Sequence, residues 1–265
     1  MIRRDMLEQV GNVERRLVCG YPKTGRTWLR FMMANALSEQ YELDADINLN
    51  NVYKIVPNEN QGVIDGQPAF GFNGDIPKVE MSHRKYSPEF EHSRLVFMTR
   101  DPRDIMVSHW FHDTLQVNIY EGTLNQYVRD ENKGIAAFLG HLESWAPHLE
   151  DSQVVTYEDM RRSPHSAVSY IFERLGIHVG DENIEKAVAR GEIRRMQRLE
   201  TEYGIAGHDY DRSDPDARRI RAGKIGGYIR YLSDYDQIYI DNAINAATDA
   251  AQRIIAMTAY DRAYE

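Results

Sequence analysis

Arg16-Leu17-Val18-Cys19-Gly20-Tyr21-Pro22-Lys23-Thr24-Gly25-Arg26-Thr27-Trp28-Leu29 is the stretch on which the reading of the fold turns. Leu17 to Cys19 is a short apolar run of strand type, and Gly20 and Gly25 bracket a tight loop. From about Thr27 the positions Leu29, Met32, Met33, Ala36 and Leu37 fall on one face of a helix. A strand that turns through such a loop into a helix aims backbone N–H groups and a helix N-terminus at one point, which suits a phosphate. The spacing nearly matches the nucleotide-triphosphate loop G-x-x-x-x-G-K-[ST]. Arg26, however, stands where the loop lysine belongs, and Lys23 lies inside the loop.

Working outward, the same alternation repeats. Pro77–Ser82 reads as a short strand ending at His83, and Arg94–Thr99 as a fully buried one that runs into Arg100-Asp101-Pro102-Arg103-Asp104. Asp101 is placed to cap the helix that follows and Pro102 to open it. Thr123–Asn132 and Ile135–Leu149 have helical spacing, Ser152–Tyr157 reads as a strand, and Ser163-Pro164 opens a helix closed by Gly176. Asp181–Arg190 is a short helix, and Tyr235–Tyr260 reads as one amphipathic helix with Tyr239, Ala243, Ala247, Ala250, Ile254 and Met257 in line. Asp44–Gly74 and Thr201–Asp216 are the two long loop-like stretches. Strands alternating with helices predict one α/β domain over 1–265. Its core spans about 16–230, with a central parallel sheet, helices on both faces and a phosphate-binding loop after the first strand.

The 265 residues carry a formal net charge of −9, which argues against a nucleic-acid binder, so an anionic ligand needs a local basic pocket. Cys19 is the single cysteine, which excludes an intrachain disulfide; in the first strand it reads as a small buried hydrophobe. Met1–Glu8 has no apolar core after its arginines and no run of about 18 apolar residues occurs, so neither a secretory leader nor a membrane span is expected. The His and Asp residues show no metal-ligand spacing, and no metal is expected.

The order Tyr21-Pro22-Lys23-Thr24-Gly25-Arg26-Thr27-Trp28 resembles the Y-P-K-S-G-T-T-W loop of sulfotransferases that use 3'-phosphoadenosine 5'-phosphosulfate (PAPS). Three further motifs follow in the family's order. Arg100 and Ser108 resemble the arginine and serine that bind the 3'-phosphate, and Tyr157-Glu158-Asp159-Met160 resembles the Y-E-D-M whose tyrosine contacts the adenine side. Arg221-Ala222-Gly223-Lys224-Ile225-Gly226 resembles R-K-G-x-x-G, with Ala222 in place of the lysine and Gly227-Tyr228 in place of Asp-Trp. Gly191-Glu192-Ile193 falls where relatives carry Thr-Ser-Phe around adenine.

The resemblance implies a cytoplasmic PAPS-dependent enzyme. The 5'-phosphosulfate would be held by Lys23, Thr24, Gly25, Arg26, Thr27 and Trp28, and the rest of the nucleotide by Arg100, Ser108, Tyr157, Arg221, Ala222 and Gly223. His83, ending the strand before the 3'-phosphate motif, is the candidate general base, with Glu80 as an alternative; His109 and His112 lie on the later helix. Lys23 is the candidate electrostatic catalyst for in-line transfer to a hydroxyl or amine. Small-molecule, glycan, lipid and natural-product acceptors all suit the two long loops. A phosphate-loop kinase or hydrolase, and a non-catalytic nucleotide binder on the same fold, stand as the other readings; the kinase predicts a lysine before Thr27, where Arg26 lies.

Overall fold

Strand β1 (Arg16–Gly20) is flanked on both sides by parallel partners. The computed structural model describes residues 15–259 except 44, 60–62, 65–66, 69–75 and 206, with backbone alone at 63–64 and 67–68. Met1–Glu8, Tyr260 and most of the expected Asp44–Gly74 connection beyond residue 59 lie outside the described residues.

From β1 the chain turns into α1 (Arg26–Gln40), then runs through a small antiparallel hairpin, β2 (Val63–Ile64) and β3 (Gln67–Pro68). It continues to β4 (Glu80–Ser82), β5 (Arg94–Thr99) and α2 (Pro102–Phe111). Helices α3 (Leu124–Arg129) and α4 (Ile135–Trp145) lead to β6 (Val154–Thr156). Then follow α5 (Tyr157–Arg162), α6 (Pro164–Arg174), α7 (Asp181–Arg190), α8 (Ile193–Tyr203), α9 (Asp234–Asn245) and α10 (Asp249–Ala256). The main sheet has the order β4-β1-β5-β6 and is parallel throughout, with Leu17 opposite Glu80 on one side and Leu95 on the other.

Period-two alternation divides the sheet's side chains between two cores. Val18, Val96, Met98 and Val155 pack with α1, α6 and α7; Leu17, Cys19, Leu95, Phe97 and Val154 pack with α2, α4, α9 and α10. Helices therefore cover both faces of one α/β domain, as expected. Cys19 lies wholly in the second core, where burial pushes its thiol up to about 12. Helix α1 is buried nearly all round because the sheet, α6 and α7 enclose it. No helix among the described residues is long and apolar enough to cross a membrane.

Five features differ from the sequence reading. The expected C-terminal helix is two helices. Thr248 caps the second by accepting from the Ala251 amide, and Gln252 Nε2 fills the freed carbonyls of Asn245 (3.2 Å) and Ala247 (2.8 Å). Tyr239, expected inward, is exposed under the Arg129 guanidinium, and Ile240 takes the core position. Tyr157 heads α5 instead of ending a strand, because Thr156 and Asp159 form a reciprocal capping box. Helix α8 went unrecognised, and it takes the first residues of the Thr201–Asp216 stretch; Ile193, Met196 and Leu199 gave its spacing, masked by the charged residues between them. Residues 47–56, read within a loop, bury Ile47, Leu49, Val52, Tyr53, Ile55 and Val56. Asn58 then bridges to Met81 alongside β4.

Candidate active site

In a parallel sheet all strands end at one edge, and ligands bind in the crevice beyond it where neighbouring connections diverge. Here β1 is that point: β4 lies on one side of it and β5 on the other. A cavity of about 430 Å³ opens there, lined by residues following β1, β4, β5 and β6 and by the 219–231 segment.

The loop after β1 owes its shape to its glycines. At Gly25, φ is 97°, and a Cβ would stand 2.6 Å from the Tyr157 ring; at Gly20 it would meet the Met98 carbonyl at 2.4 Å. Lys23 itself sits at φ 72°, a conformation that costs a non-glycine residue about 1 kcal/mol or more and recurs at functional sites. Its ammonium forms no ion pair among the described residues. Burial, followed by the nearby charge of Arg219, holds its pKa well below the ordinary lysine value. Among the described residues no side chain caps α1, so its first amides face the cavity uncapped. Thr27 and Trp28 line the cavity, and the Trp28 indole donates to the Gly191 carbonyl at 2.7 Å.

Two loop residues depart from expectation. Thr24 is buried away from the cavity lining, its hydroxyl donating to the Tyr21 carbonyl at 3.0 Å, because the tight turn needs that bond. Arg26 lines the cavity but turns its guanidinium to the Ser82 carbonyl, so it is not the counterpart of a nucleotide-loop lysine.

Beyond β5, Arg100 and Ser108 both line the cavity, eight residues apart on the strand end and α2. The Arg100 guanidinium lies 4.2 Å over the Tyr157 ring, bonds the Lys224 carbonyl at 3.1 Å and pairs with Asp104 at 3.3 Å, leaving its buried Nε unpartnered among the described residues. Two carboxylates missed in the sequence tie down the basic C-terminal segment. Asp104 accepts the amides of Gly226 and Tyr228, each at 2.9 Å; Glu200, fully buried, accepts those of Arg219 (2.6 Å) and Ile220 (2.8 Å) and the Tyr210 hydroxyl. Asp104 stood in the quoted motif, but nothing in its spacing showed which amides it would reach. Arg221 is stacked 4.0 Å over Phe111 and bonded to the Tyr231 hydroxyl, with Ala222 and Gly223 beside it on the cavity wall. A Cβ at Gly223 would stand 2.0 Å from Ile193, the residue that occupies the aromatic position noted in the sequence. Behind Arg100, Glu158 accepts the Asp101 amide at 3.1 Å, and burial pushes its carboxyl up to about 7.

His83 follows β4 and faces the same cavity. Its Nδ1 lies 2.9 Å from the Gly20 carbonyl, which only accepts; Nδ1 therefore carries the proton and Nε2 the lone pair. The ring is reachable by solvent through the cavity yet closely surrounded by protein, and that confinement, with the Arg26 charge next, holds its pKa well below the usual imidazole value. The alternative base Glu80 is engaged elsewhere, with Lys78 at 2.9 Å and Arg15 at 3.4 Å, and does not line the cavity. His109, His112 and His208 line the wall that includes α2; desolvation lowers them to about 4, 2 and 4. The sequence placed the first two on a helix but not on this wall.

The cavity thus has cations, uncapped helix amides and a left-handed lysine at one end, and a neutral imidazole of known tautomer beside them. Such a donor set fits a nucleotide bearing several anionic groups. A sequence profile described as "Sulfotransferase domain" matches residues 14–251. Cytosolic sulfotransferase 16 of Arabidopsis thaliana is 24% identical over 259 residues, covering 86% of this chain and 74% of that protein. Sulfotransferase 1C2 of Rattus norvegicus is 22% identical over 204 residues, covering 68% and 65%. Among solved structures, mouse sulfotransferase SULT7A1 complexed with PAP superposes with a TM-score of 0.63 at 18% identity, over 92% of this chain and 89% of that one. Retinol dehydratase in complex with androsterone and inactive cofactor PAP gives 0.56 at 17% identity, over 95% and 82%.

Proposed function

The chain belongs to the sulfotransferase family, and from that premise we propose that it moves the sulfuryl group of PAPS to a hydroxyl or amine of a small acceptor, with His83 as general base. The observation that carries this reading is the hydrogen bond from His83 Nδ1 to the Gly20 carbonyl, which leaves a basic Nε2 in the cavity that also holds Lys23. The mouse sulfotransferase and the retinol dehydratase were both solved with PAP, which supports the choice of donor.

PAPS brings a sulfuryl group on its 5'-phosphate; on transfer the S–O bond to that phosphate breaks, a new S–O or S–N bond forms, and PAP leaves. His83 Nε2 takes the acceptor's proton as that bond forms. Lys23 supplies positive charge where negative charge accumulates on the departing phosphate oxygen, and the amides at Gly25, Arg26 and Thr27 add their dipoles. Arg100 and Ser108 hold the 3'-phosphate, while Tyr157 and Trp28 flank the base. Arg221, Ala222 and Gly223 close the pocket, anchored through Asp104 and Glu200. We place the enzyme in the cytoplasm on its likeness to relatives called cytosolic.

Calorimetric titration with PAP, run beside ADP and ATP with and without Mg²⁺, tests the donor site. Tight Mg²⁺-independent binding of PAP with much weaker ADP is expected; preference for ATP with Mg²⁺ overturns the reading. Labelled sulfuryl transfer lost in His83→Ala, with PAP binding intact, separates an enzyme from a mere nucleotide binder.

A further inference from the structure

Helix α1 sends two arginines, one turn apart, into the cavity: Arg26 is 7% exposed and Arg30 5%. Both Nε atoms are buried without a hydrogen-bond partner among the described residues. Among the described residues no carboxylate pairs with either guanidinium; the groups acting on them are Tyr53, Cys19 and other cations. Two neighbouring buried cations without a counter-ion are costly, and an anionic ligand removes that cost.

The donor's anions have their own partners in this reading. Arg100 follows β5, on one side of β1, whereas Arg26 bonds to Ser82 at the end of β4, on the other side. Arg30 lies a turn farther from the phosphate loop. It stacks 4.2 Å over Tyr53 and donates to Asn58 Oδ1, and both residues belong to the segment that runs beside β4 toward His83.

Resting on the sulfotransferase reading, we propose that Arg30, supported by Arg26, binds a carboxylate of the acceptor, so that the enzyme's acceptors are small hydroxy acids. The guanidinium fork matches a carboxylate, and the Tyr53 ring beneath it favours a flat substituent. Side chains four residues apart on a helix stand about 5–6 Å apart. With the hydroxyl at His83, beside Arg26, and the carboxylate at Arg30, an acceptor of hydroxybenzoate or hydroxyphenylacetate length spans the gap.

The test measures transfer from labelled PAPS to 4-hydroxybenzoate and 4-hydroxyphenylacetate against their primary amides. Calorimetry of phenylacetate with the PAP-saturated protein gives a readout independent of turnover. The wild type should favour each acid over its amide at least tenfold in kcat/KM and should bind phenylacetate. Arg30→Met should reduce the acid-to-amide ratio tenfold or more through KM and abolish phenylacetate binding, with PAP affinity kept within twofold; Arg30→Lys should retain part of the preference. Amides used as well as acids, no phenylacetate binding by the PAP-bound wild type, or a loss of PAP affinity in Arg30→Met and Arg30→Lys each overturns the acceptor assignment. A wild type that binds no PAP overturns the sulfotransferase reading itself, and this proposal with it.

Discussion

His83 and Lys23 show how a residue's identity and its working state come from different sources. The sequence named both by their places in motifs, but the tautomer of His83 depends on the Gly20 carbonyl, 63 positions away in the chain. Lys23→Ala and His83→Ala are each expected to depress turnover a hundredfold or more, the size of a lost electrostatic or acid–base group. Steady-state transfer rates check this, with PAP affinity in His83→Ala remaining near wild type. The depressed pKa of His83 also sets the pH dependence. The base form prevails at neutral pH and persists on acidification until the lowered pKa is reached. A kcat/KM profile should therefore stay level through pH 6.5 and fall only below it; an acid limb centred at 6.5 would contradict this. Thr24 shows the reverse lesson: motif position marked it as a ligand, and the turn's own hydrogen bond claims its hydroxyl.

Many elements built from local signals were legible, although the Thr248 cap, the Thr156–Asp159 capping box and the spacing of α8 are also local and were not read; segments held by distant partners were not legible at all. The strand–loop–helix at the start of the chain, the Asp101 cap of α2 and the helix opened by Pro164 all carry their cause within a few residues. The C-terminal basic segment does not: its course depends on Asp104 and Glu200, which belong to α2 and α8. Hydrogen bonds to charged groups contribute about 1.5–3 kcal/mol each. Asp104→Asn should therefore weaken PAP binding tenfold or more and expose residues 219–231 to limited proteolysis, measured by calorimetry and digestion. An unchanged affinity would show that the segment closes without this anchor. In the loop itself, Gly25→Ala meets both a left-handed backbone and the Tyr157 ring, and should abolish measurable PAP binding in the same titration.

At the scale of the whole molecule, ligand and proton linkage test the architecture together. Saturation with PAP at about a hundred times its Kd should stabilise the fold by about 2.7 kcal/mol, a rise of several degrees in Tm for a chain of this size. Acidification acts in the opposite direction. His109, His141 and His208 are lowered to about 4 and His112 to about 2, chiefly by burial, whereas unfolded histidines titrate near 6.5. Below 6.5 the unfolded chain binds more protons than the folded one, so stability is lost progressively as pH falls toward 4. Melting curves at pH 7, 6 and 5 should show Tm dropping; a flat Tm would mean these rings are protonated in the fold. By itself the sequence determined the alternation of strands and helices, the phosphate loop and the order of four motifs. Each of these is written in short-range spacing, in glycine positions and in hydrophobic period. Only the tertiary structure decided that four strand ends meet at one edge and that His109, His112 and His208 face the same cavity as His83. It also left Arg26 and Arg30 buried together without a carboxylate among the described residues. Burial and charge pairing are properties of packed surfaces, and no local stretch of chain encodes which distant groups will share one.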